Sequence, residues 1–152
     1  MYKNIKSCVY VNNCQSDFFS SNAGVRQGEN LSPLLFSLFI NDLEDHMTDK
    51  GNPYLDFSDE TCNQFIKLML LLYADDTVVF SNSPRGLQKC LDDLSIYCNK
   101  WKLTVNSNKT KIIIFCKRKT KGNLKFIFDS NELEIVNEFQ YLGVRFNSKG
   151  NF

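Results

Sequence analysis

The spacing of apolar residues changes several times along this chain, and each change marks an element. Leu68 to Leu72 is an unbroken apolar run, and a second run, Thr77-Val78-Val79-Phe80, follows after a short polar break. Two strand-length runs so close together predict two buried strands meeting at a tight bend. Ser83-Pro84 then combines a favoured N-cap with a residue favoured at the first helical position. After it, Leu87, Leu91, Leu94, Cys98 and Trp101 recur at helical spacing. They predict a helix to about Lys102 with that stripe in the core. Ser32-Pro33 repeats the start signal, and Leu35, Leu38, Phe39 and Leu43 predict one helix from Leu34 to Met47 with a polar tail.

The remaining signals are shorter. Ser7 to Val11, broken by Asn12-Asn13, reads as a hairpin. Lys111 to Cys116 reads as a strand. Leu124 to Phe128 alternates, Asp129 to Asn131 turns, and Leu133 to Val136 returns as a hairpin partner. Phe139 to Phe146 reads as a last strand with Gly143 inside it. Polar loops are expected at Asp49 to Thr61 and Lys117 to Gly122. Helices mixed with hairpins make the fold class α+β.

Composition narrows the picture only locally. The net charge is +1, which names no partner, and 152 residues suggest one domain. Between Leu94 and Phe128, however, there are nine Lys or Arg and no acid. One basic face, compatible with a polyanion, follows. The six cysteines form no C-x-x-C pair and His46 is the sole histidine, so a zinc site is not expected. Scattered thiols with no targeting signal predict an intracellular protein, cytoplasmic or nuclear. Cys90 and Cys98 belong to the apolar helical pattern and His46 to a helix-end surface. No apolar run is long enough for a membrane helix.

The candidate chemistry lies at Tyr73-Ala74-Asp75-Asp76, between the two apolar runs. A bend needing only turn geometry more often uses Gly or Asn. Adjacent carboxylates repel, and a cation between them relieves that. Hard oxygens on a rigid turn suit Mg²⁺, which binds through one or two carboxylates plus substrate phosphates.

Four blocks together resemble reverse transcriptases of non-LTR (LINE-type) retrotransposons. Gly24-Val25-Arg26-Gln27-Gly28 with Glu29 to Phe36 is similar to their loop-and-helix block. Tyr73-Ala74-Asp75-Asp76 resembles their catalytic hairpin. Leu103-Thr104-Val105-Asn106 with Lys109-Thr110-Lys111 resembles the block after the second palm helix, and Phe139 to Val144 resembles the primer-grip hairpin. The resemblance implies a polymerase palm, here incomplete, with helices on an antiparallel sheet. It divides the chain into an N-terminal hairpin and loop (1–30), palm (31–122) and primer-grip region (123–152). It implies an RNA-directed DNA polymerase acting on RNA template, DNA primer and deoxynucleotides, with Mg²⁺ held by Asp75 and Asp76. By the same resemblance Tyr73 lies against primer or nucleotide, and Gln27 and Gly28 line the nucleotide and template side, where a small residue lets the backbone approach closely. The resemblance further implies that Lys109 is the candidate to protonate or stabilise the leaving pyrophosphate and that Tyr141, Leu142 and Gly143 support the primer.

One departure bears on activity. The resembled palms carry a third carboxylate on an earlier strand, and the only acid upstream of the first block is Asp17, in a stretch unlike that strand. The expectation is a C-terminal portion of a fingers–palm unit, inactive as an isolated chain, with an exposed apolar edge on the hairpin. The alternative is a non-catalytic remnant that still binds nucleic acid through its basic face.

Overall fold

The chain switches from strand to helix at Ser83, and the capping chemistry there is as expected. The computed structural model describes residues 6–20, 24–25, 28–56, 67–116 and 123–150. In it the Ser83 hydroxyl accepts the Gly86 N–H at 3.1 Å, and Pro84 begins the longest helix. That helix ends at Trp101, where Lys102 adopts a left-handed conformation (φ +56°) and the Leu103 N–H bonds the Cys98 carbonyl at 2.8 Å.

In chain order the elements are β1 (Lys6–Ser7), β2 (Tyr10–Val11), β3 (Cys14–Gln15), β4 (Phe19–Ser20), α1 (Ser32–Phe39), α2 (Leu43–Asp49), β5 (Leu55–Asp56), β6 (Lys67–Leu68), β7 (Leu70–Tyr73), β8 (Asp76–Val79) and α3 (Pro84–Trp101). They continue with β9 (Lys111–Ile113), β10 (Ile127–Phe128), β11 (Asn131–Glu132), β12 (Glu134–Val136), β13 (Glu138–Tyr141) and β14 (Val144–Asn147). The architecture is mixed α and β, and among the described residues every sheet is a two-stranded ladder. Two compact units emerge, Met1–Asp42 and Leu43–Phe152, where length alone suggested one domain.

In the first unit the β2–β3 hairpin turns at Asn12-Asn13, whose φ angles are +49° and +61°. Asn tolerates that region, which suits the twist of a two-residue hairpin. The single helix expected from Leu34 to Met47 is instead two. Leu31, without a side-chain cap, precedes α1, and Ser32 is buried inside it rather than capping it. Ile40 leaves helical geometry (φ −100°, ψ +12°), and Asn41-Asp42 follows before α2. Short polar side chains compete with the helix backbone for hydrogen bonds, which favours a break there. Leu38 and Phe39, two of the helically spaced apolar positions, are 63% and 43% exposed.

The second unit is organised around α3. Cys90, Leu91, Leu94, Tyr97 and Cys98 are buried with Leu43, Met47, Met69, Ile112, Phe126, Phe128 and Leu133. Each such side chain removed from water contributes roughly 1.5–3 kcal/mol for the larger apolar ones. The Gln88 carboxamide joins α3 to β10 by donating to the Ile127 carbonyl (2.8 Å) and accepting the Ile127 N–H (2.9 Å). Lys89 ties α3 to the turn after α2, donating to the carbonyls of Lys50 and Gly51. His46 is not the surface residue expected. It is half-buried, its Nε2 donating to the Asp93 carbonyl at 3.2 Å, and its ring lies 5.3 Å from that of Tyr97.

Two strand expectations change. The segment Leu133 to Val136 returns on its partner only through Leu133, whose N–H bonds the Phe126 carbonyl at 2.8 Å. Beyond it, β12 pairs parallel with β9, Glu134 opposite Lys111 through Val136 opposite Ile113. That pairing accompanies burial of Ile112 and brings the Lys111 ammonium 2.6 Å from the Glu134 carboxylate. The stretch Phe139 to Phe146 is a hairpin rather than one strand. Its turn is Leu142-Gly143 (φ +48° and +82°), so Gly143 supplies a backbone conformation that other residues adopt at a cost.

Candidate active-site hairpin

The two apolar runs form an antiparallel hairpin whose tip is the Tyr-Ala-Asp-Asp segment. Leu70 pairs Val79, Leu71 pairs Val78, Leu72 pairs Thr77, and Tyr73 pairs Asp76. Ala74 and Asp75 are therefore the two turn residues. Ala74 sits at φ +52°, where glycine would be the relaxed choice. The strands are not buried as expected. Leu71 and Leu72 are each 42% exposed and Tyr73 is 62% exposed. No other strand covers either edge of this hairpin among the described residues, so each strand has one neighbour at most.

Asp75 and Asp76 are both exposed, one in the turn and one opening β8. Asp76 acts electrostatically on Tyr141 of β13. Burial, reinforced by that carboxylate, pushes the Tyr141 phenol above its ordinary value. The field of Asp76 thus reaches the neighbouring hairpin, which carries three of the candidate site residues. In that hairpin Tyr141 is half-buried, while Leu142 and Gly143 are exposed at the tip. The Asn147 amide donates to Glu138 at 2.8 Å across the ladder.

Lys109 is exposed on the turn after Asn106. Its backbone N–H bonds the Asn106 carbonyl (3.0 Å) and approaches Oδ1 (3.3 Å), and the Thr110 hydroxyl donates to the same carbonyl (3.0 Å). No hydrogen bond or ion pair joins the Lys109 ammonium to the hairpin among the described residues. Gly28 belongs to the 1–42 unit and adopts φ +86°. Its positive φ favours glycine, and among the described residues nothing lies within 4 Å of where its Cβ would be. Gln27 lies outside the described residues, as does the basic loop at 117–122.

Among the described residues no three His, Cys, Asp or Glu side chains converge to hold a metal. Asp75 and Asp76 supply hard oxygens of the right type, but two exposed carboxylates on a turn do not by themselves complete an octahedral Mg²⁺ site. Asp17, the upstream acid, is exposed and lies between β3 and β4 of the other unit.

The structure adds a polar pair that the sequence reading missed. Asn52 and Asp93 are both buried, and the Asn52 amide donates to Met47 O (2.8 Å) and Asp93 Oδ2 (3.0 Å). The signal was available in the helix pattern. Asp93 lies three residues after Cys90 and four before Tyr97, an acid within the apolar stripe, and a buried charge requires a partner.

With that geometry in hand, comparison with known proteins defines the class. Residues 1–146 match the reverse transcriptase (RNA-dependent DNA polymerase) family, and the chain belongs to it. It is similar to the RNA-directed DNA polymerase from mobile element jockey of Drosophila melanogaster. That match is 27% identical over 150 residues, 95% of this chain and 15% of the relative. It is also similar to the probable RNA-directed DNA polymerase from transposon BS of the same organism, 37% identical over 98 residues, covering 58% of this chain and 9% of the relative. The jockey polymerase of Drosophila funebris is 26% identical over 147 residues, 91% of this chain and 14% of that protein. The chain thus spans at most 15% of the length of these relatives. No solved structure matches it significantly. Among the described residues no helix is long and apolar enough to cross a membrane.

Proposed function

We propose that the chain is the palm portion of a non-LTR retrotransposon reverse transcriptase, a segment of an RNA-directed DNA polymerase that is inactive by itself. The observation that carries this reading is the Tyr73–Asp76 tip. In a chain of this family, adjacent carboxylates stand exposed at a hairpin tip, Asp75 in its two-residue turn and Asp76 opening β8. The parent polymerase would copy an RNA template onto a DNA primer from deoxynucleotides. When bound, Mg²⁺ would assist by stabilising charge on the phosphoryl oxygens. Asp75 and Asp76 would hold it, Tyr73 would contact primer or nucleotide, and Tyr141 to Gly143 would support the primer. Lys109 would act toward the leaving pyrophosphate and Gln27 and Gly28 toward the nucleotide.

The inactivity proposed for the isolated chain rests on two carboxylates that no third joins among the described residues. The test is primer extension by the purified chain with Mg²⁺. No extension is expected, and Mg²⁺-dependent synthesis abolished by Asp75→Ala would overturn the proposal.

Retained nucleic-acid binding is the second reading. Lys100, Lys102 and Lys109 are exposed, which favours it, while Lys111 and Lys125 are each engaged by a glutamate, Glu134 and Glu132, which weakens it. Binding to an RNA–DNA hybrid should fall steeply with salt, because phosphate contacts release counterions. Binding that is absent, or insensitive to salt, removes this reading.

A further inference from the structure

The outer edge of β7 borders a cavity that the polymerase reading leaves unused. The cavity, about 240 Å³, is lined by Leu68 to Leu72 together with Glu44 of α2 and Tyr54. Side chains of consecutive strand residues alternate between faces. A cavity lined by five in a row therefore runs along the edge of the strand rather than over one face.

Leu68 at the start of that edge pairs with Leu55 of β5, and beyond it, among the described residues, the backbone along β7 is unpaired by strand structure. In an antiparallel ladder, bonded and non-bonded positions alternate. The Phe80 N–H bonds the Met69 carbonyl at 2.9 Å, which makes Met69, Leu71 and Tyr73 the positions turned toward β8. Leu70 and Leu72 accordingly direct their N–H and C=O outward, and no strand pairs there among the described residues. Open edge amides beside an apolar cavity are the elements of strand addition.

Charge selects the occupant. Among the described residues Glu44 is the charged side chain on the cavity wall and no basic side chain lines it, and the strand runs out at Asp75 and Asp76. A polyanion is disfavoured there. A second copy would bring its own Glu44 and tip carboxylates to the same groove with no cation between them. We propose that the outer edge of β7 accepts an extended partner segment with alternating apolar residues and flanking basic side chains.

The test measures fluorescence anisotropy of the full chain with a labelled Lys-Val-Thr-Val-Thr-Lys peptide, against Glu-Val-Thr-Val-Thr-Glu. The basic peptide should bind at least roughly tenfold more tightly. Leu72→Pro deletes an outward N–H without removing a ladder bond to β8. It should weaken binding by roughly tenfold while far-UV circular dichroism stays unchanged. If that variant does not fold, Glu44→Lys carries the test, and it should reverse the preference between the peptides. Equal affinity for the two peptides, or no effect of Glu44→Lys, overturns the proposal. So does a concentration-dependent dimer in sedimentation that Leu72→Pro dissolves, since the edge would then belong to a second copy.

Discussion

Asn52 donates its side-chain amide to the Asp93 carboxylate at 3.0 Å, and both residues are buried, with 3% and 8% of their surface exposed. The same amide holds the Met47 carbonyl at the end of α2, so this contact fastens α2 and the following turn to α3. Asn52→Asp replaces the donor with a second carboxylate facing Asp93. The variant should lose on the order of 2–3 kcal/mol at neutral pH. The sign with pH follows from the shared proton. One carboxyl of the new pair has its folded pKa raised above the unfolded value near ~3.9. Stability is then fully present below that unfolded value and is lost as pH rises through the raised one. Urea unfolding midpoints should approach wild type in acid and separate toward neutrality, and a pH-independent difference would contradict this.

Ala74 carries the hairpin tip at φ +52°. Left-handed geometry costs a residue with a Cβ roughly 1–2 kcal/mol, while glycine costs about 0.5–1 kcal/mol in unfolded-state entropy. Relief of strain wins, so Ala74→Gly should be neutral or stabilising by up to about 1 kcal/mol. Ala74→Val should destabilise, because a β-branched residue is a strong outlier there. Denaturation midpoints of the two variants should fall on opposite sides of, or at and below, the wild-type value.

Tyr141 has its phenol pushed upward by burial and by Asp76. A raised folded pKa means that its stability contribution is complete below the ordinary tyrosine value and is lost as pH rises through the raised one. Asp76→Asn should bring the phenolate transition of Tyr141 to lower pH without abolishing the shift, since burial is the larger cause. Phenolate absorbance, with Tyr141→Phe to assign the signal, reads this directly. An unchanged titration in Asp76→Asn would separate the two hairpins electrostatically.

Gly86 sits where a Cβ would meet Ser81 Oγ at 2.5 Å, Pro53 Cγ at 2.8 Å and Ser83 Oγ at 2.9 Å. Gly86→Ala gains about 1 kcal/mol of helix propensity but incurs roughly 1–3 kcal/mol of overpacking. The proline ring cannot rotate away, and the Ser83 hydroxyl is already engaged as the cap of α3. Net destabilisation of about 1–2 kcal/mol is therefore expected, visible as a lower thermal midpoint. A stabilised variant would show that the turn at Pro53 yields.

Local chemistry was legible in the residues wherever a few neighbours settle the outcome. Ser83-Pro84 and the stripe from Leu87 to Trp101 defined α3 from cap to last turn. The Asn12-Asn13 hairpin and the Tyr73–Asp76 tip, with its two acids at the bend, were readable for the same reason. The break between α1 and α2 was not, because Asn41-Asp42 is a weak signal inside a convincing apolar period. Nor was the exposure of Leu71, Leu72 and Leu38, since an apolar run does not state whether a neighbour covers it.

By itself, then, the sequence determined the elements that short-range hydrogen bonding and periodicity dictate, and the ordered blocks that place the chain among reverse transcriptases. The tertiary structure alone decided the parallel pairing of β12 with β9, the burial of Asn52 against Asp93, and the reach of Asp76 to Tyr141. Each joins residues distant in the chain, and their pairing depends on which surfaces meet once the loops between them close. Local propensity carries no record of that meeting.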